Sequence, residues 1–331
     1  MKAVDHRMEA VRDAGAPRAV SRAVLQEVYG SPDVLHLRQV PAPSPAANEV
    51  LVRISAASVN ARDWHVMRGE PWLARLLDRG TFALRRPRVA TRGTDLAGVV
   101  EAVGAHVTRW HVGDHVFGEG TATLADHAVV PADQLAATTA LRCLDATGSV
   151  PGNSILVNGA SGGVGTFAIQ IAKARQLHVT AVVSTRNVAL AASLGADRVI
   201  DYTSEDFARA GAQYDVLVDL VGNRALRELR RAVRPGGVLV LSGGGVSGTG
   251  RILGPLRLLI WGQVYGHLRG LRVHVPQAAP DPALLEQVSE LVATRQLAPV
   301  IDRRFALEQA ADAIRYMETE HTRGKVVVTT S

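Results

Sequence analysis

The spacing of apolar residues changes near residue 136 of the chain. Before this point, apolar residues form short runs separated by Gly and Pro, a pattern typical of an irregular, barrel-like β domain. After it, short apolar runs alternate with stripes at helical spacing, a pattern typical of a doubly wound parallel sheet. The sequence therefore predicts an α/β protein built from two different domains.

These two patterns define a set of predicted strands and helices. In the β domain, the predicted strands cover residues 50–54, 98–103, 112–117 and 125–130. In the second part, they cover residues 155–158, 178–183, 198–200, 215–220 and 238–241. The predicted helices run from residue 164 to 176, end at Leu194-Gly195, and cover 223–233, 281–293 and 307–317, with a tight turn at 235–237. We expect a last strand, 325–328, to return to the first domain.

A glycine-rich turn joins the strand 155–158 to the helix that follows it. Apolar residues of this helix recur at the spacing of a helix packed on a sheet, at Val164, Phe167, Ala168, Ile171 and Ala172. The turn contains Ala160-x-Gly162-x-x-Gly165, which resembles the Gly-x-Gly-x-x-Gly dinucleotide motif. Small residues let the backbone approach a pyrophosphate, and the helix N-terminus offers it unpaired N–H groups. The predicted cofactor-binding residues here are Ala160, Ser161, Gly162, Gly163, Val164 and Gly165.

The end of the next strand indicates which nicotinamide cofactor is used. About twenty residues past the glycines, NAD sites usually place an acidic residue on the ribose hydroxyls. This chain has no acid there, and Ser184 and Arg186 follow the strand instead. These side chains suit a 2′-phosphate, so the sequence favours NADPH over NADH. The alternative is that Arg186 is an ordinary solvated arginine.

Two further strand ends are predicted to contact the nicotinamide half of the cofactor. Val221 and Gly222 follow one strand, and Ser242 and Gly243 follow the next. Open parallel sheets bind ligands at the carboxyl ends of their strands, and the lack of bulk at these positions suits backbone contact. The alternative is that both segments are simple tight turns.

The composition is that of a soluble globular protein, with 47% hydrophobic and 21% charged residues among 331. This length predicts about two domains. The single cysteine, Cys143, excludes an internal disulfide framework and a cysteine-rich zinc site, and it fits a reducing cytoplasm. Residues 1–22 carry mixed charges without the apolar stretch of a signal peptide, and we expect them to form an extension.

The net charge of +6 does not indicate nucleic-acid binding. Arginines are scattered among acidic residues, and aromatic residues make up only 4% of the chain, so no base-stacking surface is predicted. Residues 246–275 mix apolar residues with arginines, and no apolar run reaches the roughly 18 residues of a membrane span. This segment, which contains Tyr265, is predicted to cover the substrate, to form a subunit contact or to pack as an ordinary helix.

Six motifs occur in a fixed order from about residue 22 onward. They are residues 58–65 (SVNARDWH), 93–100 (GTDLAGVV), 112–117 (VGDHVF), the glycine turn, 194–197 (LGAD) and 324–327 (GKVV). This combination resembles the zinc-independent, quinone-oxidoreductase-like (zeta-crystallin-like) branch of the medium-chain dehydrogenase/reductase superfamily. The resemblance implies a GroES-like β-barrel catalytic domain at 23–135 and 276–331, interrupted at 136–275 by a Rossmann cofactor domain with a doubly wound parallel sheet.

The same resemblance implies a reaction without a metal. Asn60 stands where zinc-dependent relatives have a cysteine ligand, and Thr94 stands where they have a histidine ligand. Among the 11 histidines, no close pair in the company of cysteine or carboxylate stands out as a ligand set. Without a Lewis acid, alcohol oxidation is hard, and hydride transfer to a quinone or an α,β-unsaturated carbonyl (enone) is easier.

Two residues are candidates for the chemistry. The Asn60 amide is predicted to donate to the oxyanion that forms on the substrate, and His65 is predicted to donate the proton. The alternatives are that Asn60 only orients the nicotinamide side of the cleft and that His65 is a structural histidine. Asp63 and Trp64 are predicted to shape the loop and the pocket wall, together with Tyr265, around a hydrophobic substrate.

Two more cofactor contacts follow from the resemblance. Tyr202 is similar to a tyrosine beside the adenosine phosphate, the alternative being a core aromatic, and Thr139 matches a residue that contacts the nicotinamide. Between Leu135 and Thr139, however, the chain lacks a loop and helix that relatives place in the interdomain cleft. This difference predicts either a wider pocket for a bulky substrate or impaired closure.

The sequence leaves two functions open. One is an NADPH-dependent, metal-independent reductase of a quinone or enone, acting on a small hydrophobic molecule. The other is a redox-silent NADPH-binding protein that uses the same scaffold for binding, regulation or another non-redox role. The resemblance also implies a homodimer.

Overall fold

The computed structural model describes residues 20–132, 139–242, 271–276, 282–320 and 322–330, and the single positions 262 and 266. Within these ranges the chain forms a β domain and a parallel-sheet domain, which confirms the predicted α/β class. None of the helices in these ranges combines the length and the hydrophobicity that a membrane span requires.

The β domain combines strands from both ends of the described chain. Its strands are β1 (Val20–Gln26), β2 (Leu35–Pro41), β3 (Glu49–Val59), β4 (Asp95–Val103), β5 (His115–Glu119), β6 (His127–Pro131), β13 (Ile301–Ala306) and β14 (Lys325–Thr329). Its helices are α1 (Ala61–Arg68), α2 (Ala74–Leu77) and α8 (Ala310–Thr319). The main sheet has the order β13-β14-β3-β4-β5, β6 also pairs with β3, and β1 pairs with β2.

Strand β14 returns to the β domain, as predicted, and pairs antiparallel with β3. Strand β4 is also antiparallel to β3. The end of β3 therefore lies beside the beginnings of β4 and β14. As a result, Ser58, Asp95 and Lys325 lie at the same end of three adjacent strands. Along β3, buried Val50 and Val52 alternate with more exposed residues and belong to the core of this sheet.

The second domain is a six-stranded parallel sheet with the order β12-β11-β10-β7-β8-β9. Its strands are β7 (Ser154–Asn158), β8 (His178–Val183), β9 (Arg198–Asp201), β10 (Tyr214–Asp219), β11 (Val233–Leu241) and β12 (Arg272–His274). Its helices are α3 (Thr139–Asp145), α4 (Gly165–Ala174), α5 (Val188–Ser193), α6 (Leu226–Ala232) and α7 (Pro282–Ala293). This strand order is that of a Rossmann sheet, and the glycine turn follows its central strand β7.

Both faces of the parallel sheet are covered. Ile155 and Val157 of β7 belong to one apolar core and Leu156, between them, belongs to another, and all three are fully buried. A strand that is buried on both faces reads as a continuous apolar run. This explains why the run before the glycine turn is a strong sequence signal.

Strand β11 differs from its prediction. The predicted turn at 235–237 lies inside the strand, because Tyr214 of β10 pairs with Val233 and Val216 pairs with Val238. The extra residues form a bulge, in which Gly236 has a φ of +79°. The glycines therefore permit a bulge where the sequence suggested a chain reversal. Strand β5 also begins later than predicted, since Asp114 N–H donates to His111 O and closes a turn before it.

Two segments lie differently from the predicted domain limits. Strand β1 begins at Val20, so the last three residues of the expected extension pair with β2. Helix α7 falls after the predicted limit at residue 276, yet its Leu284 and Val288 are buried in the core that contains Leu141 and Ile169 of the parallel-sheet domain. The helix also contacts α3, and this packing groups it with the parallel-sheet domain.

The two domains meet along the glycine turn. A backbone bridge joins Gly162 to Gly324, and Gly324 N–H donates to Ser161 O over 2.8 Å. The Gln170 side chain of α4 donates to Ala298 O over 3.0 Å and accepts from Ala298 N–H over 2.9 Å. The helix that follows the turn is therefore tied to the segments that lead back into the β domain.

Candidate active site

Three glycines of the turn have different neighbours. A Cβ on Gly165 would lie 2.2 Å from Gly159 O, so α4 can begin this close to β7 only with glycine. A Cβ on Gly162 would meet nothing nearer than Gly159 O at 3.5 Å, which leaves the space beside this residue open. A Cβ on Gly163 would lie 2.8 Å from Cδ of Lys325, so this glycine makes room for a side chain of the β domain.

A buried asparagine joins the glycine turn to the end of β8. Asn187 Nδ2 donates to Ser161 Oγ over 3.0 Å and lies 3.3 Å from Ser184 Oγ. Within the described residues, Asn187 Oδ1 has no hydrogen-bond partner. Two residues that the sequence predicted separately, Ser161 and Ser184, are thus held by one side chain that the sequence did not reveal.

Arg186 and Tyr202 lie at one exposed edge of the parallel sheet. Arg186 is exposed in the short turn after β8. Tyr202 is 48% exposed, and its N–H donates to Val183 O over 3.0 Å. Tyr202 is therefore not a core aromatic, which was the alternative left open. The neighbouring Asp201 carboxylate accepts from the Thr203 N–H and hydroxyl over 3.0 and 2.8 Å.

Asp219 organises the two strand ends predicted to face the nicotinamide half of the cofactor. This fully buried residue accepts at Oδ1 from Asn158 Nδ2 over 2.9 Å and from the N–H groups of Val221 and Gly222, each over 3.1 Å. Its backbone oxygen accepts from Ser242 N–H over 3.0 Å. One residue thereby fixes the carboxyl ends of β7, β10 and β11. Contact of Val221, Gly222 and Ser242 with the cofactor stays a prediction.

Asn158 and Asp219 were missed in the sequence, although each ends an apolar strand with a polar residue. A polar side chain that is buried at the end of a strand has to be hydrogen-bonded. The polar residues that end these two apolar runs are therefore the sequence signal that could have identified Asn158 and Asp219. Within the described part of the chain, Asp219 Oδ2 has no hydrogen-bond partner.

Three predicted contact residues are described incompletely or not at all. Gly243 and Tyr265 lie outside the described residues, as do residues 133–138, which hold the shortened interdomain connection. Thr139 is the first residue of α3, and only its backbone is described.

On the β-domain side, Asn60 lies at the N-terminus of α1, directly after β3. The Asp63 carboxylate accepts from Asn60 N–H over 2.8 Å, and Asp63 N–H donates to Asn60 O over 3.0 Å. The helix ends at Gly69, whose φ is +64°. Because this cap uses the backbone of Asn60, the Asn60 side chain is available to other partners.

Five polar side chains meet at the end of the sheet where β3 ends and β4 and β14 begin. We call them the Asn60 cluster: Ser58, Asn60, Thr94, Asp95 and Lys325. Asn60 Nδ2 lies 3.2 Å from Thr94 Oγ1, while Lys325 Nζ donates to Asn60 Oδ1 over 2.6 Å and to Asp95 Oδ2 over 2.9 Å. The Ser58 hydroxyl donates to the same Asp95 carboxylate.

The two carboxylates near this cluster have opposite pKa shifts. Burial raises the pKa of Asp95, but the Lys325 ammonium and the hydrogen bond from the Ser58 hydroxyl outweigh it, so the pKa lies below its ordinary value. Burial raises the pKa of Asp63 to about 6, and the hydrogen bond from Asn60 N–H opposes this rise. Asp95 adds to the rise through its negative charge.

His65 and Trp64 follow on α1. His65 Nδ1 lies 3.0 Å from Glu70 O, and its ring packs edge-on against Trp64 with 4.9 Å between centroids. Trp64 is only 8% exposed and packs in the core with Met67, while Asp63 is 2% exposed. Asp63 therefore shapes the loop as a helix cap and Trp64 supports it from the interior. A contact of either with substrate stays a prediction.

Asn60 and Thr94 are expected at the positions where zinc-dependent relatives have zinc ligands. Here their side chains are hydrogen-bonded to each other. In the part of the chain that the structure describes, no group of three or more histidine, cysteine, aspartate or glutamate side chains is arranged to hold a metal ion. The donor set at this edge consists of an amide, two hydroxyls, one carboxylate and an ammonium, and the ammonium would repel a cation.

A Rossmann sheet with a glycine turn at its central strand, joined to a β domain that presents polar side chains at the seam, is an arrangement typical of nucleotide-binding oxidoreductases. The chain belongs to the quinone-oxidoreductase-like branch of the medium-chain dehydrogenase/reductase superfamily. Residues 46–173 match the family described as alcohol dehydrogenase GroES-like domain, and residues 194–328 match the family described as zinc-binding dehydrogenase. The protein is an enzyme of the quinone or alkenal reductase type.

Individual relatives agree with this placement. The chain is 30% identical to 2-methylene-furan-3-one reductase of Solanum lycopersicum, over 91% of this chain and 76% of the relative. It is 29% identical to the chloroplastic NADPH-dependent alkenal/one oxidoreductase of Arabidopsis thaliana, over 96% of this chain and 81% of the relative. Among solved structures, the quinone oxidoreductase from Coxiella burnetii superposes with a TM-score of 0.79 at 25% identity, covering 95% of this chain and all of that one.

Proposed function

We propose that this protein is an NADPH-dependent reductase that transfers hydride to a quinone or an α,β-unsaturated carbonyl without using a metal. The observation that carries the proposal is the meeting of the glycine turn with the Asn60 cluster at the domain seam. Lys325 lies against Gly163 of the turn and donates to Asn60 of the cluster. A cofactor held by the turn and a substrate oxygen held by the Asn60 amide would therefore face each other.

The glycine turn has the properties that a dinucleotide phosphate requires. The space beside Gly162 is open, and the turn stands at the N-terminus of α4, whose dipole favours an anion. Ser184 and the exposed Arg186 support a 2′-phosphate, and the carboxylate of Asp201 is occupied by Thr203. These features favour NADPH over NADH. When bound, the reduced nicotinamide supplies the hydride.

Asn60 stabilises the oxyanion in this proposal. Its Nδ2 group makes one good contact, 3.2 Å to Thr94 Oγ1, and one long contact, 3.5 Å to Ser58 O. A substrate carbonyl oxygen can replace the long contact, since hydrogen bonds weaken beyond about 3.2 Å. Hydride addition at the β-carbon of an enone moves an electron pair onto this oxygen, and an amide N–H placed there stabilises the enolate.

His65 supplies the proton in this proposal. A carbonyl oxygen only accepts, so the contact between His65 Nδ1 and Glu70 O places a hydrogen on Nδ1. The proton for the substrate then leaves Nε2 of the imidazolium form. Protonation of the enolate carbon, or of the second quinone oxygen, completes a reduction in which the substrate gains one hydride and one proton.

The direct test follows NADPH absorbance with a panel of quinones, 2-alkenals and cyclic enones. We expect turnover with at least one of these classes, and we expect Asn60→Ala to lower kcat about 100-fold with little change in NADPH affinity. His65→Phe is expected to lower kcat by a similar factor, about 100-fold, whereas the matched change at the exposed His36 of β2, His36→Phe, leaves it unchanged.

Two results would contradict this proposal in different ways. Tight NADPH binding without oxidation by any acceptor would favour the redox-silent alternative. Equal losses of turnover and NADPH affinity in Asn60→Ala and His65→Phe would remove the chemical roles assigned to these residues.

The proposal includes a homodimer in the cytoplasm. Family resemblance supports the dimer, and the single free cysteine, the buried Cys143, is consistent with a reducing compartment. Light scattering on the purified protein measures its mass in solution, and a monomeric mass would overturn the dimer. Fractionation of cells that produce the protein tests the compartment.

A further inference from the structure

The side chain of Lys325 crosses from the glycine turn to the Asn60 cluster. Lys325 is the first residue of β14, and the preceding Gly324 is fixed to the turn by its bond to Ser161 O. Gly163 is the residue of the turn that the methylene stem of Lys325 passes, and any Cβ there would overlap the stem. Gly163 thus makes room for this lysine, whereas Gly162 leaves open space beside it.

The ammonium group of Lys325 determines which way the Asn60 amide points. Lys325 Nζ only donates, and it lies 2.6 Å from one end of the amide, so that end must be Oδ1. The NH2 end is then turned towards Thr94 Oγ1. A flipped amide would set two donors against each other at this distance, and its oxygen would face the substrate as an acceptor.

Asp95 keeps the ammonium in place. Its carboxylate accepts from Lys325 over 2.9 Å and from the Ser58 hydroxyl, and the lysine side chain is only 19% exposed. Lys325 is therefore held on three sides, by the turn, by Asp95 and by Asn60. A cation bonded to an amide oxygen withdraws electron density from the amide and strengthens its N–H groups as donors.

We infer that Lys325 is a positioning residue of the reductase site. It fixes the orientation of the Asn60 amide and polarises that amide towards the substrate oxyanion. Because its stem packs against Gly163, it also links the position of the amide to the position of the glycine turn. The inference rests on the proposed function of Asn60. Lys325 acts through Asn60 rather than on the substrate, and Asp95 and Gly163 hold it in position.

The kinetic test compares Lys325→Met, which keeps the stem and removes the charge, with Lys173→Met as a matched control. Lys173 is also a lysine in an ion pair, with Asp197 over 2.8 Å, but it lies on the outer part of α4. We expect Lys325→Met to lower kcat about 10-fold, because it disturbs a donor whose removal costs about 100-fold or more. NADPH affinity should change much less, Lys325→Arg should recover part of kcat, and Lys173→Met should leave both unchanged.

The decisive step is to repeat Lys325→Met in the Asn60→Ala protein. If the lysine acts through the amide, it causes little further loss of kcat in that background. A full second loss, multiplied onto the first, would overturn the inference, as would an equal fall in kcat and NADPH affinity in the single variant.

A spectroscopic measurement tests the amide orientation without activity. The chain has six asparagines, so selective ¹⁵N-asparagine labelling gives a simple side-chain NH2 spectrum in which Asn60→Ala identifies the Asn60 pair. We expect Lys325→Met to shift this pair and Lys173→Met to leave it in place. An unmoved Asn60 signal would refute the inference even in an active enzyme. A shifted signal in a protein that reduces no acceptor would uphold the orientation and reject the proposed function.

Discussion

The glycine turn and the Asn60 cluster face each other across the seam, but they are built in opposite ways. In the turn, the absence of side chains matters, because Gly165 lets α4 approach Gly159 O and Gly162 leaves space. In the cluster, the mutual contacts of side chains matter, because Lys325 and Asn60 fix each other across 265 positions of sequence. The first depends on the backbone of adjacent residues, and the second depends on how three strands are aligned.

This difference decides how each half of the site responds to change. At Gly165 a Cβ would overlap backbone that cannot move aside, so substitution there is expected to remove the fold as well as the ligand. A side-chain cluster can lose one member while the strands remain paired, so its loss is expected to appear in chemistry or in pH dependence first.

The largest effect is expected at Gly165. Its Cβ would lie 2.2 Å from Gly159 O, a contact with backbone that cannot move aside. We expect Gly165→Val to cost more than about 4 kcal/mol and to yield no soluble NADPH-binding protein. Calorimetric titration with NADPH and thermal unfolding provide the measurements.

Gly162→Ala is the matched control in the same turn, since its Cβ has 3.5 Å to its nearest neighbour. We expect its melting temperature to stay near that of the parent chain while NADPH affinity falls. If Gly162→Ala unfolds the protein as readily, the space beside Gly162 is not a ligand site.

A smaller loss is expected at Asp219, which belongs to the cofactor domain but acts through side-chain bonds. Asp219→Ala removes the acceptor of three hydrogen bonds and leaves the buried Asn158 amide and the half-buried Val221 and Gly222 N–H groups without it. We expect a loss of about 2–4 kcal/mol in the free energy of unfolding, measured by urea denaturation. Asp312→Ala, on an exposed ion pair with Arg315, should change it by less than about 0.5 kcal/mol.

Asp63 should give the β-domain side a pH-dependent stability. Its pKa is raised to about 6 in the folded protein from an ordinary 3.8, so the folded state binds the proton more tightly than the unfolded state. Protonated Asp63 therefore adds to the free energy of unfolding below about pH 4, and this stabilisation is lost as pH rises to about 6, with a size on the order of 3 kcal/mol.

Asp63→Asn keeps an acceptor for Asn60 N–H and removes the titration. We expect the stability of Asp63→Asn relative to the parent chain to increase between about pH 4 and pH 6 and then to stay constant, as measured by urea denaturation at a series of pH values. Asp95→Asn should change in the opposite sense and only below about pH 4, because the folded pKa of Asp95 is lowered from its ordinary value. A pH-independent difference for Asp63→Asn would mean that its carboxyl titrates normally.

The smallest effect is expected at Arg186, an exposed side chain at the edge of the cofactor domain. Arg186→Ala should raise the KM for NADPH about 10-fold, equivalent to about 1.4 kcal/mol, and should leave the KM for NADH nearly unchanged. Arg38→Ala, at an exposed arginine of β2 in the other domain, is the control. Equal changes with both cofactors would show that Arg186 does not contact the 2′-phosphate.

The parts of the fold that the sequence predicted are those with local causes. The strand before the glycine turn is a continuous apolar run because both its faces are buried, and the turn itself needs small residues at fixed positions. The bulge of β11 was predicted as a turn because glycines permit both structures, and pairing with β10 decides between them. Helix α7 lies beyond the predicted domain limit but packs in the core of the parallel-sheet domain, since sequence order does not show which core an apolar stripe joins.

The side-chain networks could not be predicted from the sequence, for a different reason. Asn60 was predicted, but Lys325 and Asp95 were not, although each stands in a motif used to recognise the family. Their meeting depends on β3 being antiparallel to both β4 and β14. Asn187 and Asp219 are similar cases, since a buried polar residue indicates that it has a hydrogen-bond partner but does not indicate which residue that partner is.

The pairing of β14 with β3 also has a consequence for biosynthesis. Strand β3 is translated long before β14, and at about 5–20 residues per second the 265 positions between Asn60 and Lys325 take roughly 15 to 50 s to make. During this time the last part of β3, Ala56 to Val59, lacks its β14 neighbour and offers an unpaired edge on the nascent chain. The Asn60 cluster is thus completed late in synthesis, and a chain whose synthesis stops before β14 has the glycine turn but an open, aggregation-prone sheet.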